Sequence, residues 1–416
     1  MHTRRFSALC LLLSITTCTV ALAADSHSQA IRGSSKLGPI HQATLLSSDG
    51  GTGTFFGAPV AVDGDTLAAA APDTQEVYVF AKPPSGWEDA TETAILRPSV
   101  SGLIGFGASV AVSADVIVVG APEGGSDNQG MVFVYVKPPG GWTDMTETAQ
   151  LTASDGESFD QLGYAVGMSN NTVVATAELT EHAYVYAEPP NGWTNMTETA
   201  ELGNPNATGF GRSVAISVDN IVVGADGCCI QGEPTRGQAD VFKKPPNGWV
   251  TTFKPNALLT GSNESKNDNF GEVVVYRNNT IVVGSDHKNG AAYVFVEPPS
   301  GWQSAKENAV LTSSDSLPGD FFGERVATNG TLVAVGAYAY DHDNQGWRGA
   351  VYVYKRPKAG WTSTSSANTT VFPSPDQNQC ELGRGLYMSG ATLAMGCPGA
   401  VVNNHVNQGS VLVLGK

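Results

Sequence analysis

The stretch FGASVAVSADVIVVGAP, residues 106–122, decides the fold. Two runs of alternating β-branched and small residues flank a short break at Ser113–Asp115, which is typical of antiparallel strands joined by a tight turn. Related breaks elsewhere carry Asn and Gly, which accept the positive φ of a two-residue turn. These breaks are Asp63-Gly64-Asp65, Asn170-Asn171, Asn278-Asn279 and Asn329-Gly330. The stretch therefore predicts a β-hairpin.

The hairpin recurs seven times in the 416 residues, at intervals of 48 to 60 residues. Each copy opens on one of the pairs Phe56-Gly57, Phe106-Gly107, Leu162-Gly163, Phe210-Gly211, Phe270-Gly271, Phe322-Gly323 and Leu382-Gly383. A third apolar run such as VFVYV (132–136) follows, then a turn of the type PPxGW and a fourth run such as TAQLTASD (148–155). Four antiparallel strands in about 50 residues are typical of one blade of a β-propeller.

The first and last runs of the repeat region complement each other. The seventh repeat stops after its third run, VLVL (411–414), while QATLLSSDG (42–50) precedes the first Phe-Gly pair. Pairing of these two runs removes an exposed sheet edge. We predict an all-β protein, with 41–416 forming one seven-bladed propeller of four-stranded antiparallel blades. The N-terminal strand closes the ring by pairing with the C-terminal blade.

Residues 1–23 have the pattern of a secretory signal peptide. Arg4 and Arg5 precede an apolar stretch centred on LCLLL, and Ala21-Leu22-Ala23 fits a cleavage site. No other stretch approaches the 18 apolar residues of a membrane-spanning helix. We expect a secreted, extracellular protein (periplasmic in a bacterium) that does not span the membrane, with 24–40 as a loose lead segment.

The net charge and the composition exclude some classes of partner and of structure. The formal net charge is −16, from 23 Lys and Arg against 39 Asp and Glu, so the surface repels phosphate backbones and nucleic-acid binding is not expected. Hydrophobic residues make up 41%, which is enough for a packed core and excludes global disorder.

The motif Phe106-Gly107…Gly120-Ala121-Pro122 resembles the FG-GAP repeat of integrin α-subunit propellers. The match is closer to bacterial-type FG-GAP repeats, which carry runs similar to VKPPGGWTDMTETAQLTASDG (136–156). The resemblance implies a seven-bladed propeller. It says little about function, since such propellers serve adhesion, ligand binding and scaffolding.

Integrin-type repeats often bind Ca²⁺ in a long acidic loop between the first two strands. Here that connection is a short turn such as Ser217–Asp219, which cannot supply six to eight oxygen ligands. The resemblance therefore does not carry the calcium sites of the family to this chain.

Four cysteines follow the predicted signal peptide, and three pairings are possible among Cys228, Cys229, Cys380 and Cys397. Cys380 precedes the first strand of blade seven and Cys397 follows the second, so the hairpin brings them face to face. We predict a Cys380–Cys397 disulfide. Cys228 and Cys229 then form a vicinal bridge or stay free. The chain is a glycoprotein if its host has a eukaryotic secretory route, at the sequons of Asn170, Asn195, Asn206, Asn263, Asn278, Asn329 and Asn368.

Two repeated features admit a structural and a ligand-binding interpretation. The tryptophans of the PPxGW-type turns, Trp87, Trp142, Trp193, Trp249, Trp302 and Trp361, are expected to pack between blades rather than to form a row of sugar sites. The first strands carry charges in neighbouring blades, Arg212 beside Glu272 and Glu324 beside Arg384. Salt bridges between blades are the preferred interpretation, and a polar ligand site is the alternative.

The loop between the second and third strands of blade six, AYAYDHDNQGWRG, is the candidate ligand-binding site. Aromatic faces beside carboxylate and amide groups suit sugar rings or peptide side chains. The candidates are Tyr338, Tyr340, Asp341, Asp343, Asn344 and Trp347. Asp341 and Asp343 are also candidate Ca²⁺ ligands, although the third acid and the distal Glu of a calcium loop are missing. Loop histidines are candidate Zn²⁺ or Cu²⁺ ligands or simply exposed side chains, namely His182, His287, His342 and His405.

The leading functional prediction is a secreted, non-enzymatic binding or adhesion propeller. It recognises an extracellular protein or glycan through the face formed by the 2–3 loops and the 4–1 loops, named by the strands that they join. The alternatives are a polysaccharide lyase or hydrolase and a lectin using the same face. No HExxH, GxSxG or phosphate-binding glycine loop is present, and loops that differ between blades disfavour a lectin with one site per blade.

Overall fold

The computed structural model describes residues 31–32, 41–227, 236–263, 268–341, 346–374 and 377–415. They form seven small, mainly antiparallel sheets. The first strand of each sheet contacts the first strands of the sheets before and after it, and the first strand of blade seven contacts that of blade one. The ring is therefore closed, and the prediction of a seven-bladed propeller is confirmed.

Each blade contains four antiparallel strands, which we number from the central channel outwards. In chain order, blade one has Val60–Asp63, Thr66–Ala71, Glu76–Ala81 and Ala94–Leu96; blade two has Ser109–Ser113, Val116–Ala121, Met131–Val136 and Ala149–Thr152; blade three has Leu162–Ser169, Thr172–Ala177, His182–Ala187 and Ala200–Gly203; blade four has Phe210–Ser217, Asn220–Ala225, Gln238–Lys243 and Ala257–Thr260. Blade five has Val273–Arg277, Thr280–Ser285, Ala291–Val296 and Ala309–Leu311; blade six has Arg325–Thr328, Leu332–Ala337, Ala350–Lys355 and Thr369–Val371; blade seven has Leu386–Ser389, Thr392–Cys397, Ser410–Gly415 and, from the N-terminal side, His41–Leu46. Two single-turn 3₁₀ helices lie at Ser126–Asn128 and Glu178–Thr180.

The ring closes where the N-terminal strand joins blade seven. His41–Leu46 pairs antiparallel with Ser410–Gly415, with Thr44 opposite Leu412 and Leu45 opposite Val411. The fourth strand of this blade thus comes from the other end of the repeat region. This pairing confirms the predicted closure.

The two glycines of the repeated motif explain how closely the blades pack. Gly163, which has a φ of +93°, directs its carbonyl oxygen at Gly120 of the preceding blade. A Cβ on Gly120 would lie well inside 3.0 Å of that oxygen, a distance that real Cβ atoms do not show. The same close approach recurs for Gly224 with Gly271, Gly284 with Gly323, Gly336 with Gly383 and Gly396 with Gly57. The motif therefore encodes contact between blades rather than a ligand site.

Aromatic side chains fill the space between blades. Phe106 and Trp142 lie in one apolar cluster together with side chains of blades one and two. All six tryptophans of the PPxGW-type turns are buried, and Trp87 Nε1 donates a hydrogen bond to Thr392 Oγ1 of blade seven, at 3.2 Å. The structural interpretation of these tryptophans is confirmed.

A short strap follows each of these tryptophans and lies along the outer strand of the preceding blade. Ala90–Thr91, Met196–Thr197 and Ala305–Lys306 each pair in parallel with such a strand. Side chains strengthen the contact in the strap of blade two, where Asp144 Oδ1 accepts from the Ile95 amide at 2.8 Å and Glu147 Oε2 accepts from the Ser99 amide at 2.8 Å. Three sheets thus gain a fifth strand that the repeat pattern did not predict. Within the lead segment, Ile31–Arg32 pairs with the outer strand of blade six.

Cys380 and Cys397 are joined in a disulfide with a Cα–Cα distance of 4.8 Å. The bond ties the entry of the first strand of blade seven to the end of the second. Cys228 and Cys229 lie outside the described residues. Among the residues that the structure describes, no helix is long and apolar enough to cross a membrane.

Candidate functional site

The two faces of the propeller differ in the length of their loops. On one face the first and second strands meet in turns that leave only two residues unpaired in six of the seven blades, as between Ser217 and Asn220. Such turns have no room for the calcium loop of integrin-type repeats. The opposite face carries the 2–3 loops and the 4–1 loops, and we call it the loop face.

Exposed apolar side chains concentrate on the loop face. Twelve large hydrophobic side chains are exposed among the described residues, and eight of them lie in 2–3 or 4–1 loops. The eight are Val100, Ile104, Phe159, Leu179, Leu317, Trp347, Val401 and Val406. Exposed apolar groups concentrated in one region commonly mark an interaction site, so the loop face is the candidate functional surface.

An aromatic platform stands on the loop face between blades six and seven. The rings of Phe321 and Tyr338 stack at 5.1 Å with an interplanar angle of 6°, and Trp347 meets Tyr338 edge-on at 6.4 Å. The guanidinium of Arg384 lies 5.3 Å from the centroid of the Tyr338 ring. Trp347 is 51% exposed, so the platform presents an indole to solvent. We call Phe321, Tyr338, Trp347 and Arg384 the aromatic platform.

The aromatic platform contains two of the six residues that the sequence analysis selected, Tyr338 and Trp347. Tyr340 lies elsewhere, against Phe372 at 5.5 Å on the outer side of blade six. Asp341 is half-buried at the end of a described range. Asp343 and Asn344 lie outside the described residues, so the calcium prediction for Asp341 and Asp343 remains a prediction.

A set of polar side chains adjoins the channel on the same face, and we call it the charged arc. Arg212 makes two bonds to Glu272, from Nε to Oε2 and from Nη2 to Oε1, each of 2.8 Å. Its Nη1 reaches Glu178 at 2.9 Å and also donates to the Tyr164 hydroxyl. Burial lowers the pKa of Arg212, but bonding to Glu272 more than offsets this, so the net shift is upward. The arc, which is Tyr164, Glu178, Arg212 and Glu272, thus joins blades three, four and five.

Glu324 connects the charged arc with the aromatic platform. Tyr338 donates a hydrogen bond to its carboxylate, and burial raises the pKa of Glu324. Arg325 Nη1 lies 3.4 Å from Glu324 Oε1. Burial also raises the pKa of Tyr164 to about 12, so this phenol stays neutral at physiological pH. The combined surface offers stacking rings, carboxylate acceptors and guanidinium donors.

Sequence reasoning missed Phe321 and Glu381, although a signal for both exists. Glu381 Oε2 accepts from Arg384 Nη1 at 2.5 Å and so helps to hold the platform. Both residues directly precede a Phe-Gly or Leu-Gly pair, and both have a positive φ, +56° in each case. Non-glycine residues adopt this conformation at a cost and cluster at functional loops. An aromatic or charged residue directly before a Phe-Gly or Leu-Gly pair is therefore a sequence signal for a side chain on the loop face.

The central channel is not a ligand site of useful size. Its cavity has a volume of about 70 Å³ and is lined by first-strand side chains such as Val166, Val214 and Val274. Arg277 and Tyr387 also line it, and Arg277 Nη2 donates to the Tyr387 hydroxyl at 2.6 Å. Sites for small organic ligands are several times larger, roughly 300–1,000 Å³. A cavity of this size holds at most a few water molecules.

A family model described as "FG-GAP repeat" matches residues 145–186, 254–295 and 306–354. The chain carries FG-GAP repeats in these three places of its seven-bladed β-propeller. The matched stretches run through parts of blades two to six. Five of the seven junctions between blades have the glycine-to-glycine contact, and Ala70 and Thr176 replace one glycine at the other two. No curated protein matches the chain.

Solved structures resemble the FG-GAP propeller in fold. Selenomethionine-substituted virginiamycin B lyase from Staphylococcus aureus aligns with a TM-score of 0.53 and 9% identity, covering 91% of this chain and 99% of that one. The computationally designed Ika8 protein aligns with a TM-score of 0.47 and 14% identity, covering 90% and 100%. At such identities the likeness to the lyase speaks for the propeller architecture alone.

Proposed function

We propose that this FG-GAP propeller is an exported, non-enzymatic binding or adhesion protein that recognises a protein partner through its loop face. The observation that carries the proposal is the placement of eight of the twelve exposed large hydrophobic side chains in the loops of that face. They extend from the 4–1 loop that enters blade two to the 2–3 loop of blade seven, which is wider than a site for one sugar. An extended macromolecular surface matches this spread.

The aromatic platform supplies the anchor of this surface. Tryptophan, tyrosine and arginine carry most of the energy in protein interfaces, because they bury much area while keeping a polar tip. Trp347, Tyr338 and Arg384 are held together by ring contacts before any partner arrives. An ordered platform costs little conformational entropy on binding.

A glycan is the second candidate, and the stacked pair of Phe321 and Tyr338 favours it. Sugar rings place C–H groups on aromatic faces, while their hydroxyls bond to carboxylates and guanidinium groups such as those of Glu381 and Arg384. This candidate uses the aromatic platform alone. The protein candidate also uses the apolar side chains of blades two and three.

Arrays of extracellular proteins and of glycans, probed with the same biotinylated chain 24–416, test the proposal. We expect Trp347→Ala to weaken binding at least about tenfold, as for an interface anchor. Val218→Ser, in the turn between the first two strands of blade four, is the matched control and should bind normally. Phe159→Ser and Ile104→Ser should weaken binding to a protein but not to a glycan. Binding that is indifferent to Trp347→Ala, or enzymatic turnover of a bound polysaccharide, would overturn the proposal.

Export is tested separately. The full chain, expressed with its own N-terminus in a secreting host, should appear in the medium with a mature N-terminus near residue 24. Deletion of residues 2–23 should retain it in the cell. Retention of the full chain would contradict export without bearing on recognition by the loop face.

A further inference from the structure

The outer rim of the loop face carries a second cluster, between blades two and three and away from the aromatic platform. His182 opens the third strand of blade three, Glu201 lies in the neighbouring fourth strand, and Asp155 belongs to the loop that leaves the outer strand of blade two. One ligand atom from each residue lies within 4.8 Å of those of the other two. His182 Nδ1 and Glu201 Oε1 are 2.6 Å apart.

We propose that Asp155, His182 and Glu201 bind a divalent transition-metal cation, with Zn²⁺ as the best match to one imidazole and two carboxylates. Zn²⁺ accepts histidine nitrogen and carboxylate oxygen at about 2.0–2.2 Å in a four-coordinate site. Water completes the set, because Asp155 is exposed and leaves the cluster open to solvent on its side. The mixed nitrogen and oxygen donors disfavour Ca²⁺, which prefers oxygen ligands.

The equivalent cluster of side chains at the rim of blade one contains its own cationic side chain. Tyr78 of blade one and Tyr184 of blade three hold equivalent positions, and their hydroxyls donate to Asp49 and Asp155 at 2.8 and 3.1 Å. In blade one a guanidinium occupies the centre: Arg97 Nη2 lies 2.6 Å from Glu76 and 3.7 Å from Asp49. The same pocket between blades thus already holds a cation in another copy of the repeat.

Blade three lacks that built-in cation but keeps two carboxylates, Asp155 and Glu201, where blade one has Asp49 and Glu76. Strand register places Gly203 opposite His182, where blade one has Arg97 next to Glu76. Glu201, opposite Tyr184, takes the place of Ile95, which lies opposite Tyr78. Relative to blade one, the site has Gly203 in place of Arg97, His182 in place of Glu76 and Glu201 in place of Ile95, so the number of carboxylates is unchanged and the guanidinium is lost. A bound cation would compensate the carboxylates of Asp155 and Glu201.

The surroundings orient the three ligands. The Tyr184 hydroxyl donates a hydrogen bond to the Asp155 carboxylate, and such hydrogen bonds commonly orient carboxylates that bind metals. The imidazole of His182 lies between the rings of Tyr184 and Phe253, at 6.3 and 5.6 Å. On metal binding, His182 Nδ1 and Glu201 Oε1, now 2.6 Å apart, would separate to the roughly 3.3 Å that two tetrahedral ligands require. The cation would then fasten the loop of blade two to blade three.

The experiment titrates metal into the chain 24–416 carrying Cys228→Ser and Cys229→Ser, so that no thiol competes. Calorimetry should show one Zn²⁺ per chain, and Co²⁺ should give the visible absorption of a tetrahedral nitrogen and oxygen site. His182→Ala and the nearly isosteric Glu201→Gln should each weaken Zn²⁺ binding at least about tenfold. His405→Ala, which removes an exposed loop histidine elsewhere on this face, should leave it unchanged.

Melting curves in EDTA show whether each variant folds, so a failure to fold is not scored as a loss of binding. Zn²⁺ should raise the melting temperature of the parent and leave that of His182→Ala unchanged, because a ligand stabilises only the state that binds it. Absence of binding to the folded parent at Zn²⁺ up to about 0.1 mM, far above the concentration that saturates structural zinc sites, would overturn the proposal. Equal binding by the parent and Glu201→Gln would also overturn it.

Discussion

Arg212 in the first strand of blade four and Glu272 beside the first strand of blade five form a two-point ion pair, with both N–O distances at 2.8 Å. A planar guanidinium and a carboxylate match each other in this geometry, which adds direction to the attraction. The pair links two sheets near the channel. It confirms the salt bridge that was predicted from the positions of the two residues in adjacent repeats.

Replacement of Arg212 should destabilise the fold strongly. In Arg212→Ala, Glu178 and Glu272 lose their common partner in a site that is largely buried, and we expect a loss of about 2–4 kcal/mol in the free energy of unfolding. Urea denaturation measures it. Lys137→Ala, which removes the cation of an exposed pair with Asp115, is the matched control and should cost less than about 1 kcal/mol. Equal losses for the two variants would show that the arc does not hold the blades together.

The other charged pair shows where the repeat pattern stops being informative. Glu324 and Arg384 were predicted to form a salt bridge. Arg384 instead forms one with Glu381, which directly precedes the pair Leu382-Gly383, and its guanidinium lies over the Tyr338 ring. The strand position fixes where each Cα lies. Several carboxylates lie within reach of a long, exposed arginine side chain. Which of them it pairs with depends on loop conformations that a single sequence does not specify.

The glycine contact between blades two and three supports a second prediction. In Gly120→Ala the new methyl group meets the Gly163 carbonyl and the Ser109 hydroxyl, so the blades must separate. We expect a loss of about 1–3 kcal/mol, the usual cost of overpacking. Gly140→Ala is the control, because a Cβ there has no neighbour within 4 Å. Thermal unfolding compares them, and a Gly120→Ala protein as stable as Gly140→Ala would refute the close-approach account.

Repeat spacing and alternation were sufficient to predict seven blades and their closure, because each run must be paired and packed on both sides. The straps escaped prediction for a physical reason. They have no apolar alternation, and their contacts use side chains such as Asp144 and Glu147, which accept from main-chain amides of the preceding blade. A pattern of polar residues predicts a loop, and only the structure shows what that loop bonds to.

The two tyrosines of the blade-six loop illustrate a similar limit. Tyr338 and Tyr340 lie in one loop of the sequence, and both were predicted to contribute to one ligand-binding site. The second strand ends at Ala337, and the Tyr340 amide turns back to the Ala337 carbonyl at 3.1 Å. Beyond this turn the two rings have different neighbours, since Tyr338 stacks on Phe321 while Tyr340 packs against Phe372. His182 was one of four candidate loop ligands, and its candidacy remains a prediction; its neighbours Asp155 and Glu201 come from elements that only the blade packing and strand register bring beside it.

The buried Asp240 makes stability depend on pH. It lies at the Tyr78 position of blade four, fully buried, and accepts from Asn204 at 2.7 Å and from Gln238 at 2.6 Å. Burial raises its pKa to about 6, although both hydrogen bonds lower it. Between the unfolded pKa near 3.8 and the folded pKa of about 6, the folded state therefore keeps a proton that the unfolded state has released. Stability from this group is present below the unfolded pKa near 3.8 and is lost as pH rises through about 6.

Asp240→Asn should remove this dependence. Relative to the parent, the variant should gain stability between pH 4 and pH 7 by on the order of 3 kcal/mol, since one pKa unit corresponds to about 1.4 kcal/mol. Urea unfolding at both pH values provides the comparison. Asp65→Asn, in the exposed first turn of blade one, is the control and should track the parent. Parallel pH profiles for the parent and Asp240→Asn would disprove the assignment.

A disulfide across the closure should stabilise the ring. Thr44 and Leu412 are paired antiparallel, and the Thr44 amide points away from Leu412 to Asp89 Oδ1 at 2.7 Å. The pair is therefore of the non-hydrogen-bonded type, whose Cα atoms lie about 4.5 Å apart, within the range that a disulfide spans. In Thr44→Cys/Leu412→Cys the bond closes almost the whole described chain into a loop. Long loops give the largest entropic gain, so we expect about 2–4 kcal/mol of added stability when oxidised. Mass spectrometry of unreduced peptides identifies the bond, and Thr44→Cys alone is the control. The gain should disappear on reduction, and a double variant that forms no crosslink would show that the terminal strands do not pair in this register in solution.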